Sequence, residues 1–241
     1  MRSIRWGKTG LAAAVCVMAA CFSTPATAQA IRTWSSASST AWLTATNWSP
    51  SGTMAGNAPN ATLTGSNGLS TDIFTTGTGN NVSPGINMNT LNAAGGVGLI
   101  LGGIDINKTS TNTVTINNSS STVAGLVQLN GATINAVANT LIRVTGSANL
   151  TLAGISTGTL GLRLGNTNGI FDVGSGRNLT LSGTVSEPAA TPSGFTKTSS
   201  GTLTLNSANT FSGTVTLSAG VLALNNSSAL GTGTLSLGAS A

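Results

Sequence analysis

Residues 194–237 read GFTKTSSGTLTLNSANTFSGTVTLSAGVLALNNSSALGTGTLSL, and this stretch decides the fold. Four short runs recur in it, each opened by glycine: Gly201–Leu205 (GTLTL), Gly213–Leu217 (GTVTL), Gly220–Leu224 (GVLAL) and Gly233–Leu237 (GTLSL). Each alternates an aliphatic residue with Thr, Ser or Ala, so a strand built from it has one apolar and one hydroxylated face. The segments between them, such as Asn206–Asn209 and Asn225–Ser228, are made of turn formers. The first run leads to the third, from Gly201 to Gly220, by nearly the same step as the second to the fourth, from Gly213 to Gly233. A near-constant step of about twenty residues predicts a stacked β-solenoid.

Residues 194–213, GFTKTSSGTLTLNSANTFSG, closely resemble the autotransporter-associated β-strand repeat. That repeat reads roughly Leu-Thr-Lys-Thr-Gly-x-Gly-Thr-Leu-Thr-Leu, then a small-residue turn, then Asn-Thr-aromatic-x-Gly and a further strand. Here Phe195 stands at the usual Leu, Ser199 or Ser200 replaces a frequent Gly, and Phe211 replaces the frequent Tyr. The resemblance covers residues 194–233 and constrains order and spacing as well as composition; the rest of the chain matches in style only. It implies a parallel β-helix of the kind found in the secreted passenger regions of bacterial surface proteins.

Composition agrees with a folded all-β chain. Only 5% of the 241 residues are charged, against about 25% in ordinary globular proteins. There are 32 glycines, no histidine and no tyrosine. Leu, Val and Ile in alternating positions nevertheless supply enough apolar surface to offset the entropy of ordering.

Residues 1–28 are expected to be a secretory signal peptide: Arg2, Arg5 and Lys8 precede the apolar run Leu11–Ala20, and Ala26-Thr-Ala28 is a small-residue cleavage site. Cleavage after Ala30 is a second frame. A rival reading takes Met18-Ala-Ala-Cys21 as a lipobox with Cys21 acylated, but Met is a poor first residue and a good cleavage site follows. Both cysteines, Cys16 and Cys21, lie in this segment, so the mature chain would hold itself together without disulfides. It would keep six basic residues (Arg32, Lys108, Arg143, Arg163, Arg177, Lys197) and four acidic ones (Asp72, Asp105, Asp172, Glu187). The basic residues are scattered along the sequence, and no cluster stands ready to neutralise several phosphates, which argues against nucleic acid as a partner.

Residues 29–85 differ in texture and contain Trp34, Trp42 and Trp48. The first rung of a solenoid leaves a core end and a strand edge uncovered, so these indoles are expected to cap it; the functional alternative is a sugar-stacking platform. Residues 86–193 are expected to be degenerate rungs, with strands at 97–101, 113–116, 126–129, 140–144, 150–152, 160–164 and 178–181. The step from Leu160 to Leu179 equals that from Gly201 to Gly220 in the C-terminal array, and Asn130-Gly131 and Asn168-Gly169 read as turn dipeptides. Pro188 and Pro192 cannot donate to a ladder, so residues 187–193 are expected to bulge out as a loop.

Little chemistry is visible. Glycoside cleavage needs two carboxyl groups flanking one bond, and Asp72, Asp105, Asp172 and Glu187 are each isolated in sequence. The separation of Asp105 from Asp172 corresponds to about three and a half rungs at a step of about twenty residues. With no histidine there is no Ser-His-Asp arrangement and no His ligand for a metal, and neither catalytic residues nor a cofactor are expected.

The expectation is thus a secreted or cell-surface parallel β-helix with a structural, display or adhesive role and no transmembrane segment in the mature chain. A carbohydrate-active enzyme or a glycan-binding module on the same scaffold is the alternative. Residues 194–241 are expected to be a repeat cut short, whose open C-terminal edge offers itself for self-association. In the stack, Leu203 and Leu205 should point inward above Leu179 and Leu181, while Thr202 and Thr204 face outward. Because burying a leucine contributes roughly 1.5–3 kcal/mol, Leu203→Asp should unzip the local stacking. Unchanged thermal melting by circular dichroism would contradict the inward assignment.

Overall fold

The computed structural model describes residues 31–34, 48–49, 73–75, 86–87, 99–108, 111, 113–118, 125–154, 160–165 and 167–238. The expected signal segment with Cys16 and Cys21, and also Trp42 and Asp72, lie outside them. Within them every helix or strand element is a strand.

The chain winds as a parallel β-helix. Strands β1 (Ile31–Trp34) and β2 (Trp48–Ser49) form an antiparallel pair at one end. The first coil follows, with β3 (Ile73–Thr75), β4 (Ile86–Asn87) and β5 (Leu99–Leu101). The second contains β6 (Gly103–Lys108), β7 (Val114–Asn118) and β8 (Gly125–Leu129). After β9 (Ala132–Ile134) come β10 (Val137–Gly146), β11 (Leu150–Gly154) and β12 (Leu160–Leu164). The fourth coil is β13 (Asn168–Val173), β14 (Asn178–Leu181) and β15 (Val185–Ser186). Then come β16 (Gly194–Thr198) and β17 (Thr202–Leu205), β18 (Val215–Leu217) and β19 (Val221–Leu224), and finally β20 (Leu235–Leu237). Equivalent strands of successive coils stack into three sheets: β2-β1-β3-β6-β10-β13-β16-β18-β20, β4-β7-β11-β14-β17-β19, and β5-β8-β12-β15.

Alternation in the sequence becomes columns in the structure. In the second sheet Val114, Leu150, Leu179, Leu203 and Leu222 stand one above another, and so do Ile116, Leu152, Leu181, Leu205 and Leu224. Between these two columns, on the opposite face, runs a ladder of Thr115, Thr151, Thr180 and Thr204. Leu203 and Leu205 are fully buried over Leu179 and Leu181, as the alternation requires. The column of Thr202 is mixed, with Asn178 on one side and Val221 on the other. At the last strand Leu235 and Leu237 occupy inward positions over Val215 and Leu217, yet are 44% and 72% exposed, with no described coil above them.

The coil step is not constant. Leu150 pairs with Leu179, Leu179 with Leu203 and Leu203 with Leu222, so that each step is shorter than the one before. The contraction follows the third sheet, which ends at β15. Beyond it that side of the coil keeps isolated backbone bonds, such as Thr210 N–H to the Val185 carbonyl (3.0 Å), Asn209 N–H to that of Ser228 (3.0 Å) and Thr232 N–H to that of Phe211 (3.1 Å). The step from Leu160 to Leu179, although equal in length to that from Leu203 to Leu222, is therefore not a coil: β12 and β14 belong to different sheets. Asn168-Gly169 is likewise not a turn but the start of β13, paired with Gly194 and Phe195. Asn130-Gly131 does lie between strands, with Gly131 at φ 86°. The loop after β15 leaves the coil as its prolines demand, and residues 189–192 are exposed.

The glycine that opens β17 has a packing reason. A Cβ at Gly201 would run into the carbonyl oxygen of Gly174 in the coil below, where Gly201 N–H bonds to the Val173 carbonyl (2.8 Å). The corner between the first two sheets is too tight for a side chain there.

One insertion lengthens the third coil. Strand β9 folds back antiparallel on β10 through the two-residue turn Asn135-Ala136, at φ 50° and 64°, between the paired Ile134 and Val137. Both central residues of such a turn need positive φ, which asparagine tolerates and alanine does not. Ala136→Gly is expected to raise stability by up to about 1 kcal/mol, read as a higher urea midpoint at unchanged slope.

Candidate functional site

The first candidates are the tryptophans. Trp34 lies on β1 and Trp48 on β2, and the two are register partners in the antiparallel pair. β1 in turn pairs in parallel with β3, so this pair sits at the beginning of the first sheet.

The acidic residues fall into a more definite arrangement than their spacing implies. Asp105 on β6, Arg143 on β10 and Asp172 on β13 are register partners in three successive coils. The chain between the two carboxylates spans two coils rather than three and a half, because β9 and the wide early coils absorb the excess. Strands stack about 4.8 Å apart, so the two aspartates lie about 9.6 Å apart along the column with the guanidinium between them. Arg143 donates through Nε and Nη2 to the two oxygens of Asp105 at 2.8 and 3.0 Å, a bidentate pair. Asp172 accepts from Ser199 Oγ at 2.6 Å and Thr198 Oγ1 at 3.4 Å. A glycoside-cleaving pair needs one carboxyl to give a proton and the other to meet water or sugar. Here Asp105 is engaged by Arg143 on both oxygens, and Asp172 is held by the hydroxyls of the next corner.

Two polar side chains that sequence reasoning passed over hold the C-terminal coils together. In the sequence Lys197 reads as one of the scattered cations; the structure buries it completely. It stands in the inward column of the first sheet, between Phe171 below and Leu217 above. Its Nζ reaches the corner and donates to the carbonyl oxygens of Thr198 (2.7 Å), Ser199 (2.7 Å) and Ala219 (3.2 Å). Those carbonyls belong to equivalent corners of two successive coils, and Ser199 is held there at φ 61°. Burial pulls the ammonium down from 10.5 to about 8, while the Asp172 carboxylate pulls it back up. Burial also lowers Lys108 at the end of β6.

Asn209 takes over where the third sheet ends. Its Oδ1 accepts from Val185 N–H at 2.7 Å and its Nδ2 donates to the Ala229 carbonyl at 2.6 Å, one coil below and one above. The side-chain amide thus replaces a strand's ladder with a single residue. Phe211, two positions on, fills the space beside it: Phe171, Phe195 and Phe211 pack edge to face with centroids 4.8 and 5.7 Å apart. The motif Asn-Thr-aromatic carried this information in the sequence, and the Thr-Lys-Thr motif pointed at Lys197, but neither says which way its side chain points.

Among the described residues no group of three or more His, Cys, Asp or Glu side chains could hold a metal ion, and no helix is long and apolar enough to cross a membrane. Residues 195–224, from β16 to the end of β19, match the family model described as passenger-associated-transport-repeat. The match covers the coils built around Lys197, Asn209 and Phe211, and marks them as a repeat of the passenger type. No curated protein and no solved structure matches the chain significantly.

The buried ammonium has a pH signature. Unfolded, Lys197 keeps its ordinary value of 10.5, while folded it is lowered to about 8, so between these values the unfolded chain binds more protons. Stability should therefore rise as pH increases from about 8 to 10.5, by on the order of 3 kcal/mol. Lys108 contributes in the same direction. Urea midpoints at pH 7.5 and 10 should show a smaller rise in Lys197→Met; equal slopes for the two proteins would refute the assignment.

Proposed function

We propose that the chain is an exported, non-catalytic β-helix that serves as a structural or display scaffold at the cell surface, with adhesion as its mode of contact. The observation that carries this reading is the match of residues 195–224 to a passenger-type repeat. The stacked parallel coils supply what such a scaffold needs: a continuous apolar core and an outer surface of hydroxyl and amide groups such as the Thr115–Thr204 ladder. In this reading residues 1–28 are removed as a signal peptide, 29–85 cap the first coil, 86–193 form irregular rungs and 194–241 the regular repeat. The order β2-β1-β3 at the start of the first sheet supports a cap, since an added antiparallel pair covers an edge that a parallel coil leaves open.

A glycan-binding module is the second reading, favoured by the direct pairing of Trp34 with Trp48. Trp34→Ala separates the two. A capping role predicts a lower melting temperature with glycan-array signals unchanged, while a sugar platform predicts loss of binding at constant melting temperature.

Export is tested by producing the full chain in a Gram-negative host, with amino-terminal sequencing and protease shaving of intact cells. The expected outcome is a chain that begins at Gln29 and is accessible from outside. A cytoplasmic chain retaining Met1 would overturn the reading, and release of unsaturated or reducing sugars from a polysaccharide panel would overturn its non-catalytic part.

A further inference from the structure

Glu187 follows β15 and opens the loop that carries Pro188 and Pro192. Its carboxylate turns back on both the loop and the next turn. Oε2 accepts from Ser193 N–H at 2.6 Å and from Ser212 N–H at 3.0 Å, and Oε1 accepts from Ser212 Oγ at 2.7 Å. Ser193 precedes β16 and Ser212 precedes β18, so one carboxylate joins the end of the fourth coil to the beginnings of the fifth and sixth. Few other bonds hold the loop: Thr191 N–H reaches the Pro188 carbonyl at 3.3 Å, Ser193 Oγ that of Thr191 at 3.1 Å, and Gly213 N–H the Ser193 carbonyl at 3.2 Å. Ala190 sits at φ 63°, a conformation unfavourable for alanine.

We propose that Glu187 is an acid-released clasp between the C-terminal coils and the body of the helix. All three of its bonds use the carboxylate as acceptor, and protonation weakens each of them and turns one oxygen into a donor facing N–H groups. Burial by itself would raise this carboxyl, but the bonds from Ser193 and Ser212 outweigh it and leave it below the ordinary 4.5. The stabilisation is therefore complete above that value and is lost as pH falls through the lowered one. Few other charges intervene. The loop and residues 206–214 contain no other ionisable group, and β12 below carries Arg163, opposite Ser186. On β16 the only charge is Lys197, turned inward to the carbonyls of Thr198, Ser199 and Ala219. Between residues 178 and 241 Glu187 is the sole carboxylic side chain, and the Asp172 carboxylate of the coil below meets these coils at the other corner, through Thr198 and Ser199.

Residue-resolved amide hydrogen exchange of the full chain tests the proposal, expressed as protection factors at pH 6.5 and 3.5. Acid is expected to cut protection at Ser193 and Ser212 about ten-fold or more while the amides of β11 keep theirs. Glu187→Gln should show the loosened pattern already at pH 6.5 and respond no further to acid, whereas Asp172→Asn should behave as the unaltered chain. Unchanged protection in acid, an acid response persisting in Glu187→Gln, or an equal loss at β11 that signals general unfolding would each overturn it.

Discussion

Everything in this molecule depends on parallel strands stacking in register, so that each residue lies over its equivalent one coil below. With a side-chain period of two, a slip of one residue would turn the columns of Leu150, Leu179 and Leu203 out to solvent and bring the column of Thr151, Thr180 and Thr204 inside. The penalty is repeated in every coil. A chain with almost no charge and with both its cysteines near its start can therefore hold one register by apolar burial and backbone ladders alone.

The corners are where burial and ladders no longer suffice, because a coil that turns leaves carbonyls and amides without ladder partners. Several of the few strongly polar side chains are placed there. Lys197 gathers three corner carbonyls from two coils, Asn209 bridges the coils on either side of it, and Glu187 gathers amides and a hydroxyl from two coils beyond its own. Asn209 substitutes for hydrogen bonds that a third strand would have made, while Lys197 satisfies the corner between the first two sheets. This lets the coil shorten, from the step that joins Leu150 to Leu179 down to the one that joins Leu203 to Leu222, without orphaning its backbone. The same residues lie in or beside the segment that matches the passenger-type repeat, so that repeat can be understood as the sequence of the shortest self-sufficient coil.

Among the described residues the outer face of the second sheet is repeated and uncharged, as in the ladder from Thr115 to Thr204. The column of Asp105, Arg143 and Asp172 lies on a sheet face, with Asp105 and Arg143 paired to each other. That arrangement suits a structural or display element, whose demands are a fixed shape and a long exposed surface.

The alternation of Leu with Thr and the near-constant step of the C-terminal array determined, from the sequence alone, that the last coils stack in parallel with Leu203 over Leu179. Those features are local, and apolar burial leaves them one solution. Coil length elsewhere was decided only by the tertiary structure. A solenoid corner accepts an insertion such as β9 without disturbing the strands on either side, so spacing along the sequence carries no ruler for it. That is why Leu160 and Leu179 are a repeat-like step apart but share no sheet, and why Asp105 and Asp172 share a column that their separation hid. The direction of Lys197 was equally out of reach: a cation in an alternating strand reads as outward unless three carbonyls converge within its reach, and only the stacked corners bring them there.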